Sequence, residues 1–241
     1  MDVYWLEQTE ADVPAANDWL SSNELLRLNG LRFAKRHADW RLGRWTAKRA
    51  VAAFQNLSAL PHVLARIEIR PAPSGAPEVF VANRPADATI SLSHRSGLAM
   101  CAVAPGNLRL GCDLEVIEPH SQAFAADYFA GPEQERIASA PAEERDRLLA
   151  LLWSGKESAL KALREGLRLD TRCAIVNCDV KSVDVNGWSE LYVLYSGGSD
   201  FHGWWRQADG MLRTLVADPR PGPPIRLEAS PYVSDYAAIC A

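Results

Sequence analysis

The sequence predicts an α+β fold in which small sheets are interrupted by two long helices. Three observations predict it. From Asp39 towards Leu57, Leu42, Trp45, Val51 and Phe54 recur near helical spacing, with Arg41, Arg44, Lys48 and Arg49 mostly on the flanks. Residues 143–166 carry the longest helical signal, with Leu149, Leu152, Leu160, Leu163 and Leu167 on one stripe and Gly166 as a stop. Around these, short runs alternate apolar and polar residues with a period of two, the mark of strands.

Taken in order, residues 2–7 predict a short strand and residues 18–29 a helix. The helix from Asp39 is expected to end at Leu60-Pro61, because the residue before proline is pushed out of the helical region. Residues 66–70 and 78–82 alternate as strands around the turn-rich loop Pro71–Pro77. Residues 83–87 read as a turn. Residues 88–104 form two strands joined by a hairpin at Arg95-Ser96-Gly97, with Ser91, Ser93 and His94 at its mouth. Pro105-Gly106-Asn107 turns into the next strand and is the best candidate for a boundary, dividing 1–107 from 108–241. Two short helical pieces follow, 124–129 and 133–140. Beyond Gly166 a meander of strands is expected at 176–185, 189–195, 201–207 and 211–217, then a proline-rich tail laid over the surface. No fixed-period internal repeat is evident.

The chain has 241 residues, enough for one large domain or two small ones with real cores. No apolar run approaches the roughly 20 residues of a membrane span. The start, Met1-Asp-Val-Tyr-Trp, lacks the basic and apolar regions of a signal peptide. The five cysteines are odd in number and form no C-x-x-C pair, which fits reduced thiols and a cytoplasmic location. The net charge is −4, but residues 27–49 hold eight cations and one acid, so that segment carries +7 and the rest −11. A cationic cluster in an acidic protein points to a local anionic ligand, not to general nucleic-acid affinity. A solvated helix face is the plainer reading.

Residues 108–119 carry the first chemical signal. Gly111, Asp113, Glu115 and Ile117 share one parity, and Leu110, Cys112, Leu114 and Val116 the other. On a strand, Asp113 and Glu115 project from one face roughly 7 Å apart. Two carboxylates that close call for a cation, and oxygen donors suit a hard divalent one. A polar outer strand face is the alternative. The second signal is Trp153-Ser-Gly-Lys156-Glu157-Ser-Ala-Leu-Lys161. Glu157 and Lys161 are i,i+4 neighbours, which by itself means only a helix ion pair of a few tenths of a kcal/mol. Lys156 falls among the leucines, where a lysine is a poor choice for burial. One carboxylate and two ammonium groups at the edge of a buried face suit a metal with phosphates beside it.

Together these pieces resemble the 4′-phosphopantetheinyl transferase superfamily, Sfp type. That family carries G-(V/I)-D-(V/I)-E on a strand and W-(S/T)-x-K-E-(A/S)-x-x-K on a helix; here they are Gly111–Glu115 and Trp153–Lys161. Its Ser-His before an apolar strand matches Ser93-His94, and its basic helix matches Gly43-Arg44 and Lys48. The likeness runs from about Phe33 to Gly166. In one place the chain departs: the family's Gly-Lys-Pro loop, whose lysine helps hold coenzyme A phosphate, is Gly75-Ala76-Pro77. Arg70 or a cation of residues 27–49 would have to replace it.

The resemblance implies two similar α+β halves with pseudo-twofold symmetry, each a small antiparallel sheet packed on a long helix, with the active site in the cleft between them. The N-terminal half would bind coenzyme A phosphates. The C-terminal half would bring the metal and the catalytic helix. It implies transfer of the phosphopantetheine arm of coenzyme A to a serine of an apo acyl or peptidyl carrier protein, releasing adenosine 3′,5′-bisphosphate. Asp113, Glu115 and Glu157 would hold Mg²⁺. Glu157 or a metal-bound water would take the serine proton, and Lys161 would neutralise or protonate the departing phosphate. Lys35, Arg44, Ser93, His94 and Lys156 would hold the cofactor phosphates. The carrier is expected to present an acidic helix to residues 122–140 or to those after Gly166. The expected protein is a monomer with no nucleic-acid or membrane partner. A non-catalytic module that binds coenzyme A or a carrier, and a hydrolase of coenzyme A pyrophosphate, are the competing readings.

Overall fold

The structure, a computed structural model, describes residues 1–106, 108–178 and 187–232. Its elements in chain order are β1 (Tyr4–Thr9), α1 (Ser22–Asn29), α2 (Ala34–Phe54), α3 (Pro61–Leu64), β2 (Ile67–Pro71), β3 (Pro77–Val81), β4 (Arg84–Pro85), β5 (Ala88–Arg95), β6 (Leu98–Pro105), β7 (Arg109–Val116), α4 (Gln122–Tyr128), α5 (Gly131–Ser139), α6 (Ala142–Ala162), β8 (Ala174–Cys178), β9 (Ser189–Tyr195), β10 (Phe201–Ala208), β11 (Met211–Asp218) and β12 (Ile225–Arg226). The fold is α+β. It divides into two compact units, residues 4–107 with 225–241 and residues 108–224 with 1–3.

In the unit of residues 4–107, one sheet runs β12-β1-β6-β5 and a second β2-β3-β4. Helix α2 supplies Trp45, Ala47, Ala50 and Val51 to a core shared with Trp19, Leu28, Leu64, Ile67, Ile90 and Val103. The hairpin at 95–97 forms as the sequence implies. Ser96 and Gly97 both take positive φ, 51° and 76°, so the turn favours a glycine. Three boundaries differ from expectation. Helix α2 starts at Ala34, not Asp39, because its N-cap is Phe33, which offers no capping oxygen to read. It stops at Phe54, and Pro61 begins α3 instead, in the first-turn position proline tolerates. The tail adds β12, which pairs in parallel with β1 through Tyr4↔Ile225 and Trp5↔Arg226.

In the unit of residues 108–224, a five-stranded antiparallel sheet runs β7-β11-β10-β9-β8. Helix α6 lies along it. Leu148, Leu149, Leu151, Leu152 and Ala159 join Val176, Leu191, Val193, Phe201, Trp205, Leu212 and Val216 in its core. Strand β8 starts at Ala174, two residues before the expected 176, and residues 179–185 of that expectation lie outside the described set. Among the described residues no helix is long and apolar enough to cross a membrane.

Each unit holds the same buried device, at the same place. Lys48 is the fifteenth residue of α2 and Lys156 the fifteenth of α6. Both are fully buried. Lys48 pairs with Glu24, and Lys156 with Glu133 at 2.6 Å. Glu24 caps α1 and accepts from Ile69 N at 3.2 Å; Glu133 caps α5 and accepts from Val176 N at 2.9 Å. The surrounding Trp45-Thr-Ala-Lys48 and Trp153-Ser-Gly-Lys156 sit 108 residues apart. An internal repeat therefore exists, though four positions at so long an interval are too few to show as a period.

Candidate active site

The site is built where α6 crosses β7. Gly111 makes the crossing close: a Cβ there would stand 1.8 Å from Ser158 O and 2.8 Å from Ala162 N. Only glycine allows the helix backbone to rest on the strand. A buried hydroxyl cluster beside it sets the register. Thr214 Oγ1 lies 2.8 Å from Ser154 Oγ and 2.7 Å from Ser158 Oγ, and donates to Ser154 O at 2.9 Å. Thr214 is the cross-strand partner of Asp113. These contacts hold α6 over the pair of acids on β7.

Asp113 and Glu115 are both buried, 5% and 9% exposed. Lys161 Nζ donates to Asp113 Oδ1 at 2.7 Å and to Cys112 O at 3.2 Å. Burial works against the Lys161 charge, but Asp113, with Cys112 and Glu157, outweighs it and raises the pKa. Glu157 is shifted upward too, which for a carboxylate favours the neutral form. Burial raises its pKa, Lys161 opposes this, and Asp113 and Glu115 raise it further. Three carboxylates and one ammonium thus share one electrostatic neighbourhood.

That donor set, oxygen only and in excess of its positive charge, fits a hard divalent cation. It is not a finished cage. Among the described residues no three His, Cys, Asp or Glu side chains gather closely enough to ligate an ion as they stand. Lys161 occupies one Asp113 oxygen, and Glu115 Oε1 accepts from Val116 N at 2.9 Å.

Lys156 is not at this site. Its ammonium is fully buried and spent on Glu133, Thr171 O and Ala174 O, so it has nothing left for a phosphate. The correction has a simple cause: a lysine amid leucines is tolerable when a buried carboxylate meets it, and that carboxylate, Glu133, is 23 residues away on α5. Glu133 was missed by sequence reasoning. Its signal was present, a glutamate at the third position after Ala130 with Pro132 beside it, the pattern of a helix start.

The other predicted residues lie in the unit of residues 4–107. Ser93 and His94 are neighbours on β5 and so face opposite sides, Ser93 buried and His94 exposed. Arg44 stacks over Trp40 at 5.0 Å, has Glu24 Oε1 3.9 Å away, and its buried Nε makes no hydrogen bond. Lys35 is exposed on the first turn of α2. Arg70, one substitute for the missing loop lysine, is held by Glu68 at 3.0 Å and by Asn83, over the Phe80 ring.

The +7 segment also divides. Arg41 donates to Asn17 Oδ1 at 3.0 Å and to Pro14 O, Lys48 is buried, and Arg49 donates to Ser230 O. These three serve the fold. Arg27, Arg32, Lys35 and Arg36 are exposed.

Residues 109–213 match the model of the 4′-phosphopantetheinyl transferase superfamily. The matched stretch includes all four residues gathered at the α6–β7 crossing. The chain is also similar to the 4′-phosphopantetheinyl transferase HetI of Nostoc sp., 27% identical over 166 residues that cover 67% of each chain. It is 25% identical to slr0495 of Synechocystis sp. over 166 residues, 68% of this chain and 65% of that one. The alignments thus span about two thirds of each relative. Among solved structures, a holo-(acyl-carrier-protein) synthase from Bacillus anthracis in complex with CoA (3′,5′-ADP) matches with a TM-score of 0.35 at 21% identity, covering 42% of this chain and 92% of that one. The Helicobacter pylori holo-[acyl-carrier-protein] synthase, in complex with coenzyme A, matches with a TM-score of 0.33 at 16% identity, covering 43% and 99%.

Proposed function

We propose that this chain transfers the 4′-phosphopantetheine arm of coenzyme A to a serine of an apo acyl or peptidyl carrier protein, with release of adenosine 3′,5′-bisphosphate. One observation carries the reading: Asp113, Glu115, Glu157 and Lys161, the chemical positions of both motifs, share one partly buried neighbourhood at the α6–β7 crossing. The names of the relatives support it.

Asp113, Glu115 and Glu157 are the residues that would hold Mg²⁺, which when bound would offset the charge building on the pyrophosphate oxygens. Glu157, with its pKa raised, is suited to take the proton of the attacking serine hydroxyl. The serine oxygen bonds to the β-phosphorus as the bond to the adenosine bisphosphate oxygen breaks. Lys161, kept charged by Asp113, neutralises or protonates that departing oxygen. Lys35, Arg44, Ser93 and His94 bind coenzyme A phosphates in this scheme. Arg44 suits that role because its guanidinium group is only partly buried and its nearest carboxylate, Glu24, is 3.9 Å away.

The test is intact-protein mass spectrometry of apo carriers incubated with the protein, coenzyme A and Mg²⁺. The expected result is a gain of one phosphopantetheine group, abolished by chelator and by Asp113→Ala. Carriers left unmodified while coenzyme A is cleaved would make the protein a hydrolase. Carriers left unmodified with coenzyme A intact but bound would make it a binding module.

A further inference from the structure

The unit of residues 4–107 exposes two large apolar side chains that its fold does not use. Leu26 and Phe33 are each 72% exposed, against 43% for the next large aliphatic, Ile225. Helix α1 turns Glu24 and Leu28 into the protein, and Leu26, two residues from each, lies on the opposite face. Phe33 is the N-cap of α2, a position where serine or aspartate would stabilise the helix and phenylalanine offers nothing. Leu25 and Leu31, beside them in sequence, do pack on the core. So the exposure is specific to two residues seven apart, not general to the segment.

The charge around them has one sign. Between Leu25 and Ala38 there are four Lys and Arg, Arg27, Arg32, Lys35 and Arg36, and no acid. All four are exposed, and among the described residues none of them is in an ion pair. A phosphate ligand accounts for cations but has no use for an exposed leucine and phenylalanine. A partner that is acidic and also carries apolar side chains uses both, because apolar anchors supply affinity and a matched charge field steers the approach.

We propose that Leu26 and Phe33, with the exposed cations Arg27, Arg32 and Arg36 near them in sequence, are a docking surface for an acidic, partly apolar face of the carrier protein. The inference rests on the function proposed above and adds a contact surface outside the matched stretch. It differs from the expectation that the carrier meets residues 122–140 or those after Gly166.

The experiment compares wild type with Leu26→Ser/Phe33→Ser and with Arg27→Glu/Arg32→Glu. Transfer is followed with carrier varied at saturating coenzyme A, then with coenzyme A varied. Binding of apo carrier is measured in parallel by calorimetry. Both variants change exposed side chains, and circular-dichroism melts confirm that they fold. The expected result is a carrier KM and Kd raised at least tenfold, with kcat and the coenzyme A KM within about twofold of wild type. The charge-reversed variant should also lose most of the salt dependence of carrier binding. Unchanged carrier KM and Kd in both variants would overturn the proposal. A rise in the coenzyme A KM alone would overturn it too, and assign the patch to the cofactor. So would wild-type binding to phosphatidylserine vesicles that Leu26→Ser/Phe33→Ser abolishes while carrier binding stays intact. If wild type binds carriers through this patch yet transfers nothing, the docking surface stands and the transferase reading fails.

Discussion

Two lysines five residues apart on α6 have opposite fates. Lys161 stands at the part-buried edge, against Asp113, and its charge is available to a departing phosphate. Lys156 is sealed in with Glu133. Lys161→Ala is expected to cut kcat a hundredfold or more in the carrier assay while the protein stays folded. Lys156→Met is expected to cost about 3–5 kcal/mol in urea unfolding, because it strands a buried carboxylate. The buried pairs also set an alkaline signature. Burial holds Lys48 and Lys156 below the usual 10.5, against the pull of Glu24 and Glu133. Between the depressed pKa and 10.5 the unfolded chain binds more protons than the folded one, so these groups make stability rise with pH in that window. Urea titrations across the alkaline range should show that contribution shrink in Lys156→Met.

At the scale of elements, the α6–β7 crossing is the unit of design. Gly111 lets the backbones touch and the Ser154–Ser158–Thr214 cluster fixes how they touch. Gly111→Ala is expected to lower stability by about 3 kcal/mol, since the new methyl meets backbone and not a side chain that can swing away. Thr214→Val keeps the shape but leaves two buried serine hydroxyls short of a partner, a loss of about 2 kcal/mol. Both should be visible as lowered thermal midpoints. The alternation of residues 108–119 was legible as a strand because a strand's period is local. The start of α2 was not, because Phe33 caps it without any capping chemistry. The fate of the cationic segment was not legible either. Arg41, Lys48 and Arg49 find partners at Pro14, Glu24 and Ser230, from 24 to 181 residues away, and no local pattern encodes that.

At the scale of the molecule, each unit builds a long helix on a sheet and pins it with a buried lysine–glutamate pair, but the residue after the pinning lysine is an acid on α6 and a cation on α2. Where Glu157 follows Lys156, Arg49 follows Lys48, and Ala53 stands at the position of Lys161. The repeated frame serves stability, while the proposed reaction draws on the acids of β7 and α6. If Asp113, Glu115 and Glu157 bind Mg²⁺, adding it should raise the thermal midpoint of wild type by mass action and leave that of Asp113→Asn unmoved. A midpoint indifferent to Mg²⁺ in both would remove the ion from these residues.

The sequence by itself determined which side chains the proposed chemistry would use. Asp113 and Glu115 share a strand face, and Glu157 and Lys161 a helix turn, and both follow from the two periods of regular backbone. It also determined the α+β class, for the same reason. Only the tertiary structure decided which charges are free to act. Lys156 reads in sequence as a ligand-binding cation and Lys48 as part of a cationic segment, but distant glutamates close on both. Pairing and burial depend on residues brought together across tens to hundreds of positions, and a local pattern holds no record of that distance.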